Sequence, residues 1–377
     1  MKKIVCYIIT ILLGCMLLVA CAKSDAQKAQ ISCIGSLNLE YATQFSVDYY
    51  TDGYVHIHVE DGNEYVLIPE GEKDTDLGIS GATLIHLPCE SIYLAASSAM
   101  DLFLQMDALD TIATCSTTAE DYTMEIVSEK IKSNEISYVG KYSSPEYETI
   151  LSSGCNLAIE STMIYHTPKV KEQLETLGIP VLVERSSYEE HPLGRLEWIK
   201  LYGVLLGKEE MAEAFFEEQV EAVKQVEKKC ETQEQKKSVA CFYVSANGYI
   251  NVRKPGDYLT KMISIAGGSY ALEDIELDEE NALSTVNINW EDFYKEAIDA
   301  DILIYNGTVD GGVKSIEELL EKNRLFADFK AVKEGNVWCT NMNMFQESSK
   351  IADIIMDFYA VISGDDAAQI QYMYQLY

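Results

Sequence analysis

Positive charge is what this chain has least of: 29 Lys and Arg stand against 61 Asp and Glu, a formal net charge of -32. So acidic a surface repels nucleic acid and anionic lipid headgroups, and suits a basic partner. Long apolar runs are also scarce. Beyond the first twenty residues none is long enough to span a bilayer. No C-x-x-C pair occurs, and the cysteines after Cys21 (Cys33, Cys89, Cys115, Cys155, Cys230, Cys241 and Cys339) are odd in number, so neither a zinc site nor a disulfide framework is expected. Catalytic signatures are missing as well: G-x-S-x-G, H-E-x-x-H, a P-loop and a Gly-rich dinucleotide fingerprint are all absent. Cys115 and His191 could be imagined as nucleophile and base, but no spacing supports the pair. Neither catalysis nor a cofactor is expected.

What is present begins at the first residue. Met1-Lys2-Lys3 precedes an apolar run from Ile4 to Ala20, and Leu18-Val19-Ala20-Cys21 is followed at once by Ala22-Lys23-Ser24-Asp25. This is a charged n-region, a short h-region and a lipobox, which predicts a signal peptide over residues 1–20 and lipidation of Cys21. A rival cysteine in Leu12-Leu13-Gly14-Cys15 would leave apolar Met16 to Ala20 stranded on the mature protein. Acyl chains contribute about 0.8 kcal/mol per buried CH2, so two or three hold a soluble body on a membrane. The body is therefore expected outside the cytoplasm, anchored to the cell membrane through Cys21, with residues 21–31 as a polar tether.

The remaining chain, about 350 residues, is long enough for two domains. Near residues 42–69, alternating apolar residues around Thr51-Asp52-Gly53 and Asp61-Gly62-Asn63 predict a β hairpin or meander. Then strands near 82–87, 111–113, 136–139, 157–160 and 181–183 alternate with helices near 92–106, 122–132, 145–151 and 168–177, the rhythm of a parallel sheet covered on both faces. Residues 193–229 are helical throughout, with Gly207 the one interruption, and Met211, Phe215, Phe216, Val220, Val223 and Val226 form an apolar stripe. The rhythm resumes with strands near 238–244, 302–305 and 336–340 and helices near 257–266, 290–297, 315–322 and 349–363. The expected fold is α/β: two doubly wound lobes, residues 32–192 and 231–377, joined by one long helix in a linker region at 193–230, with an extra N-terminal β hairpin.

Four stretches carry a family resemblance. Leu201-Tyr202-Gly203-Val204-Leu205-Leu206-Gly207-Lys208-Glu209-Glu210 is similar to an "LG-x-LLG-K-E" start of a linker helix. Gly256-Asp257-Tyr258-Leu259, running to Ile265-Ala266-Gly267-Gly268, resembles the start of a C-terminal lobe. Pro145-Glu146-Tyr147-Glu148-Thr149-Ile150-Leu151 before Ala158-Ile159-Glu160 resembles "P-N-L-E-x-I" before "P-D-L-V-I", although Asn156 stands where Asp is usual. Asn289-Trp290-Glu291-Asp292 before Ala300-Asp301-Ile302 repeats that order. In order and spacing the chain resembles the substrate-binding lipoproteins of ABC importers for iron complexes and cobalamin, whose lobes are joined by a rigid helix; the hairpin stands outside the resemblance. The resemblance implies a monomer that captures a ferric siderophore, haem or related chelate and delivers it to an ABC permease and its ATPase. Cobalamin, a bare metal ion, or sensing without transport are the alternatives. It also implies an acidic knob on each lobe, at Glu148 and Glu291, docking on the transporter.

Ligand residues are expected in the loops after strand C-termini, where α/β lobes face each other. On the first lobe these are Glu90, Tyr93, Lys141 and Tyr142, then His191 and Arg195 before and within the linker. On the second they are Tyr249, Arg253, Asn306 and Trp338, with Tyr258 nearby. Aromatic faces would cover the organic part of a chelate while Arg and Lys meet its carboxylates. A bare transition ion needs several converging nitrogen and oxygen donors. His56 and His58 fall on the hairpin, His86 within a strand and His166 after one, so no resident metal site is expected. His191 also reads as a loop residue that fixes the start of the helix before Pro192.

Overall fold

The computed structural model describes residues 31–231, 236–275, 285–365 and 368–377. The expected signal peptide, Cys21 and the expected tether up to residue 30 lie outside them. Strands of the described residues form three sheets. The first runs β1 (Cys33–Ser36), β2 (Phe45–Tyr50), β3 (Val55–Val59), β4 (Asn63–Ile68) and β5 (Thr83–His86), antiparallel as far as β4, with β5 parallel to it. Alternation sets its inner face: Phe45, Val47, Val55, Ile57 and Val59 are buried. Asp52 (φ 60) and Gly53 (φ 79) make the left-handed turn that joins β2 to β3. The predicted hairpin is thus the middle of a five-stranded sheet, and the strand expected near 82–87 belongs to it.

The second sheet holds β6 (Ile92–Leu94), β7 (Ile112–Cys115), β8 (Ser137–Tyr138), β9 (Leu157–Ser161) and β10 (Val181–Glu184) in the order β10-β9-β6-β7-β8. Every pairing is parallel. Helices α1 (Ala99–Gln105), α2 (Glu125–Lys132), α3 (Tyr147–Ser152) and α4 (Pro168–Thr176) connect these strands. The helix expected from Ile92 starts only at Ala99, because Ile92-Tyr93-Leu94 is a strand buried on both faces between β9 and β7. A short apolar run of that kind has no period by which to tell strand from helix.

Helices α5 (Pro192–Leu206) and α6 (Glu209–Cys230) follow. The helical region divides at Gly207, whose φ of 66° ends α5 in the left-handed conformation. Residues Pro192 to Leu205 are all buried, so α5 is a core helix. Gly203 lets it meet α6, since a Cβ there would lie 2.8 Å from that of Ala212. The stripe of α6 runs through Ala212, Phe216, Val220, Val223 and Val226, with Met211 outside it and 45% exposed. Helix α6 packs on α5 and also on the last helix of the second lobe, introduced below.

Two buried carboxylates tie the leading segment to α5. Glu197 accepts the backbone N–H groups of Glu40, Tyr41 and Ala42, and Glu189 accepts those of Thr43 and Gln44 together with Trp198 Nε1. Lys200 neutralises Glu197 at 3.0 Å and reaches Glu213 at 3.1 Å.

The second lobe contains β11 (Ser238–Val244), β12 (Ile250–Arg253), β13 (Ser269–Tyr270), β14 (Thr285–Ile288), β15 (Ile302–Tyr305), β16 (Val337–Thr340) and β17 (Met373–Gln375), in one sheet. Its order is β14-β12-β11-β15-β16-β17, with β13 beside β11. The centre is parallel, and β12, β14 and β17 run antiparallel to their neighbours. Helices α7 (Tyr258–Ile265), α8 (Trp290–Ala297), α9 (Ile316–Lys322), α10 (Lys330–Glu334), α11 (Asn343–Gln346) and α12 (Ile351–Ser363) surround it; α12 is the helix on which α6 packs. The chain is an α/β protein of two lobes with a further N-terminal sheet. No helix of the described residues is long and apolar enough to cross a membrane.

Candidate functional site

A cavity of about 430 Å³ opens where the C-terminal ends of the first lobe's strands face the second lobe. The first lobe lines it with hydroxyls that follow β7, β9 and β10 (Ser116, Thr117, Ser161, Thr162 and Ser187), with Lys141 and Tyr142 after β8, and with Glu184 at the end of β10. The second lobe adds Arg253 at the end of β12, Tyr258 at the start of α7, Thr285 and Phe345. Arg195, in the first turn of α5, enters from between them. Two other hollows, of about 380 Å³ beside Lys261 and about 460 Å³ between Leu37 and α6, share none of these lining residues.

Arg195 is fixed by rings of the second lobe: its guanidinium lies 4.8 Å from the Tyr258 centroid and 4.9 Å from that of Phe345. Only 3% of the residue is exposed, and Nη1 has no hydrogen-bond partner among the described residues. Arg253 lies 3.5 Å from Asp257 Oδ2 and 5.3 Å from the same Tyr258 ring. Asp257 also caps α7, accepting Leu259 N–H at 2.9 Å. Burial pushes its carboxyl up, and Arg253 opposes the rise. Glu184 accepts Ser186 N–H at 2.8 Å; burial pushes its carboxyl up too, with Ser186 and Arg195 pulling the other way.

Of the ligand residues expected from the sequence, the fold brings four to this cavity: Lys141, Tyr142, Arg195 and Arg253. The other six do not line it. Glu90 is exposed at the opposite, N-terminal end of β6. Tyr93 is fully buried within that strand, among Val139, Ile150 and Ala158. His191 caps α5, its Nδ1 accepting Leu193 N–H at 3.1 Å with the ring 4.6 Å from Tyr41. Burial, aided by Lys261, pushes its imidazole down to about 4, which keeps it neutral. Tyr249 is 54% exposed in the turn between β11 and β12. Asn306 accepts from the Thr308 N–H and hydroxyl, and Trp338 packs on the core from β16. Glu148 and Glu291 are exposed in the first turns of α3 and α8, one on each lobe.

Sequence reasoning missed Glu184 and Phe345. The signal for Glu184 was a lone acid closing the apolar run Val181-Leu182-Val183. Phe345 sits on a four-residue helix that leaves no periodic trace. Another carboxylate lies just beneath the cavity: Glu160, one residue before Ser161, is fully buried with neither oxygen partnered among the described residues. Burial pushes it up to about 8.

The sequence pattern of the periplasmic binding protein family matches residues 94–341. Two uncharacterised lipoproteins of Methanocaldococcus jannaschii are each 27% identical to the chain. One aligns over 379 residues, 94% of this chain and 91% of its own length; the other aligns over 243 residues, 63% of this chain. The chain spans about half (55%) of that second relative's length. Among solved structures, a periplasmic heme binding protein from Pseudomonas aeruginosa superposes with a TM-score of 0.59 at 16% identity, covering 77% of this chain and 99% of that one. The petrobactin-binding protein YclQ from Bacillus subtilis superposes with a TM-score of 0.58 at 14% identity, covering 82% and 99%. At such identities the likeness is one of fold.

Proposed function

Because the chain belongs to the periplasmic binding protein family, we propose that it is a lipid-anchored receptor of an ABC importer that captures a metal chelate between its lobes and hands it to the permease and its ATPase. The observation that carries the reading is the meeting of Arg195, from the helix between the lobes, and Arg253, from the second lobe, in a cavity that also holds Lys141 and Tyr142 of the first. Forked guanidiniums suit the carboxylates of a chelate, and the flanking rings suit its organic part. A volume of about 430 Å³ falls within the range of small-ligand sites, roughly 300–1,000 Å³. Structural neighbours that bind heme and petrobactin support a ferric siderophore or haem ahead of cobalamin. Capture and delivery involve no bond chemistry, so the protein works as a carrier and not as an enzyme.

The lipobox at Cys21 and the lipoprotein names of the relatives support an extracytoplasmic body held on the membrane. Cys21→Ala should release the protein or leave it unprocessed, read by fractionation. Glu148 and Glu291 are the proposed transporter contacts of a monomeric receptor, since two carboxylates far apart on a rigid body engage together only when both lobes fit. Replacing both by Ala should abolish uptake of labelled chelate and leave its affinity unchanged; weakened affinity would remove the docking role.

A thermal-shift panel tests the ligand class. The body from Ala22 onward is melted with haem, cobalamin and several ferric chelates. A specific ligand at 100 times its Kd should add about 2.7 kcal/mol. Stabilisation by none of them would overturn the chelate reading.

A further inference from the structure

Arginine occurs only four times in this chain, at positions 185, 195, 253 and 324. Arg195 and Arg253 line the cavity, and Arg185 stacks at 4.5 Å on the ring of Tyr188, another lining residue. In a protein of net charge -32, two of the four forked cations line one cavity, which selects for an anion with paired oxygens. The Nη1 of Arg195 strengthens this reading: it is a buried donor without a partner, pinned between two rings, and a ligand oxygen would satisfy it.

One acidic side chain, Glu184, lines the same cavity. The groups around it are Glu160 and Ser161 on the neighbouring strand β9, Lys141 and Tyr142 after β8, and Arg185, Ser186 and Tyr188 in the loop that follows β10. Arg195 and Tyr202 face it from α5, and Arg253, Asp257 and Tyr258 complete the cavity side from the second lobe. Asp257 is already committed to Arg253 and to the cap of α7. Among the described residues Glu184 has no such cation of its own within salt-bridge distance, and a second negative charge beside it in a dry cleft would be repelled.

We propose that the cavity takes an anionic, oxygen-rich chelate and that Glu184 takes up one proton from solvent as it enters. The ligand class rests on the chelate reading above; the proton step belongs to Glu184 itself. Binding then tightens as the pH falls, by up to about tenfold per unit for a single linked proton, and levels off once Glu184 is already protonated in the free protein.

The test uses tris(oxalato)chromate(III), an inert trianion whose charge is constant between pH 5.5 and 8, with neutral tris(acetylacetonato)chromium(III) as comparator. Titration calorimetry across that range, in two buffers of different ionisation enthalpy, should show the trianion binding, the neutral complex not binding, and close to one proton taken up at the alkaline end. Glu184→Gln should bind the trianion with a much smaller pH slope, the remainder being that of Glu160 at the alkaline end. Failure of the trianion to bind at any pH, equal binding of the neutral complex, a flat wild-type profile with no proton uptake, or an unchanged slope in the variant would each overturn the proposal. The proton count is made on wild-type protein and stands even if the variant folds poorly. Equal binding of free oxalate with the same proton uptake would leave the proton step intact and remove the chelate reading.

Discussion

The two lobes are built on the same rule of strands covered by helices, yet their sheets are packed differently. Below its sheet the second lobe packs rings: Phe242 stacks on Phe326 at 5.2 Å, Phe293 on Phe329 at 5.7 Å, and Trp290 meets Phe326 edge-on at 5.1 Å. The first lobe buries polar atoms without partners among the described residues. Tyr93 and Thr114 are register partners across β6 and β7, and Glu160 lies two residues beyond Ala158, the partner of Tyr93 in β9, so all three share one face. The ring cluster of one lobe is held by apolar contact and contains no group that titrates. The other carries a titratable group in its interior, directly below the residues that line the cavity.

The largest effect should come from emptying the ring cluster. Phe293→Ala removes a fully buried side chain from the centre of the second lobe and should cost about 3–5 kcal/mol in denaturant unfolding, at every pH. A cost that varied with pH would break the contrast between the lobes. Next comes Glu160→Gln. Its carboxyl stands near 8 in the folded protein against an ordinary 4.5, so the folded state holds the proton more tightly than the unfolded one. The contribution of that group is fully present below the ordinary value and is lost as the pH rises towards and through 8. The variant should match wild type near pH 4 and exceed it at pH 9 by about 2–4 kcal/mol; parallel stability curves for the two proteins would refute this. The smallest effect belongs to His191→Ala, which removes the side-chain cap of α5 and should cost about 1 kcal/mol without changing chelate affinity. A loss of affinity would return His191 to the binding site.

The sequence was most legible where a period persists. The first lobe's alternation, the stripe of α6 and the break at Gly207 follow from residue spacing, as does the placing of Lys141 and Tyr142 after a strand. It was least legible where elements are short or buried on both sides. Ile92-Tyr93-Leu94 carries no period, so it passed for helix, and with it Tyr93 was assigned to a loop that it does not occupy. The antiparallel strands β12, β14 and β17 are three or four residues long and rich in Asn, Thr and Gln, so only their partners identify them. Met211 entered the α6 stripe on hydrophobicity alone, whereas the close approach at Gly203 admits only the small side chain of Ala212. Glu184 escaped because an acid at a strand end is ordinary in so acidic a chain; what distinguishes it is the company of Arg195, which lies eleven residues away.

The grip of Glu189 and Glu197 on residues 40–44 has a practical corollary for anyone trimming the chain. A soluble version begun after Gln44 would leave two carboxylates in the interior facing empty space, one of them beside Lys200, on the helix that presents Arg195 to the cavity. The cut has to fall upstream of Asn38, whose carbonyl accepts from Lys200.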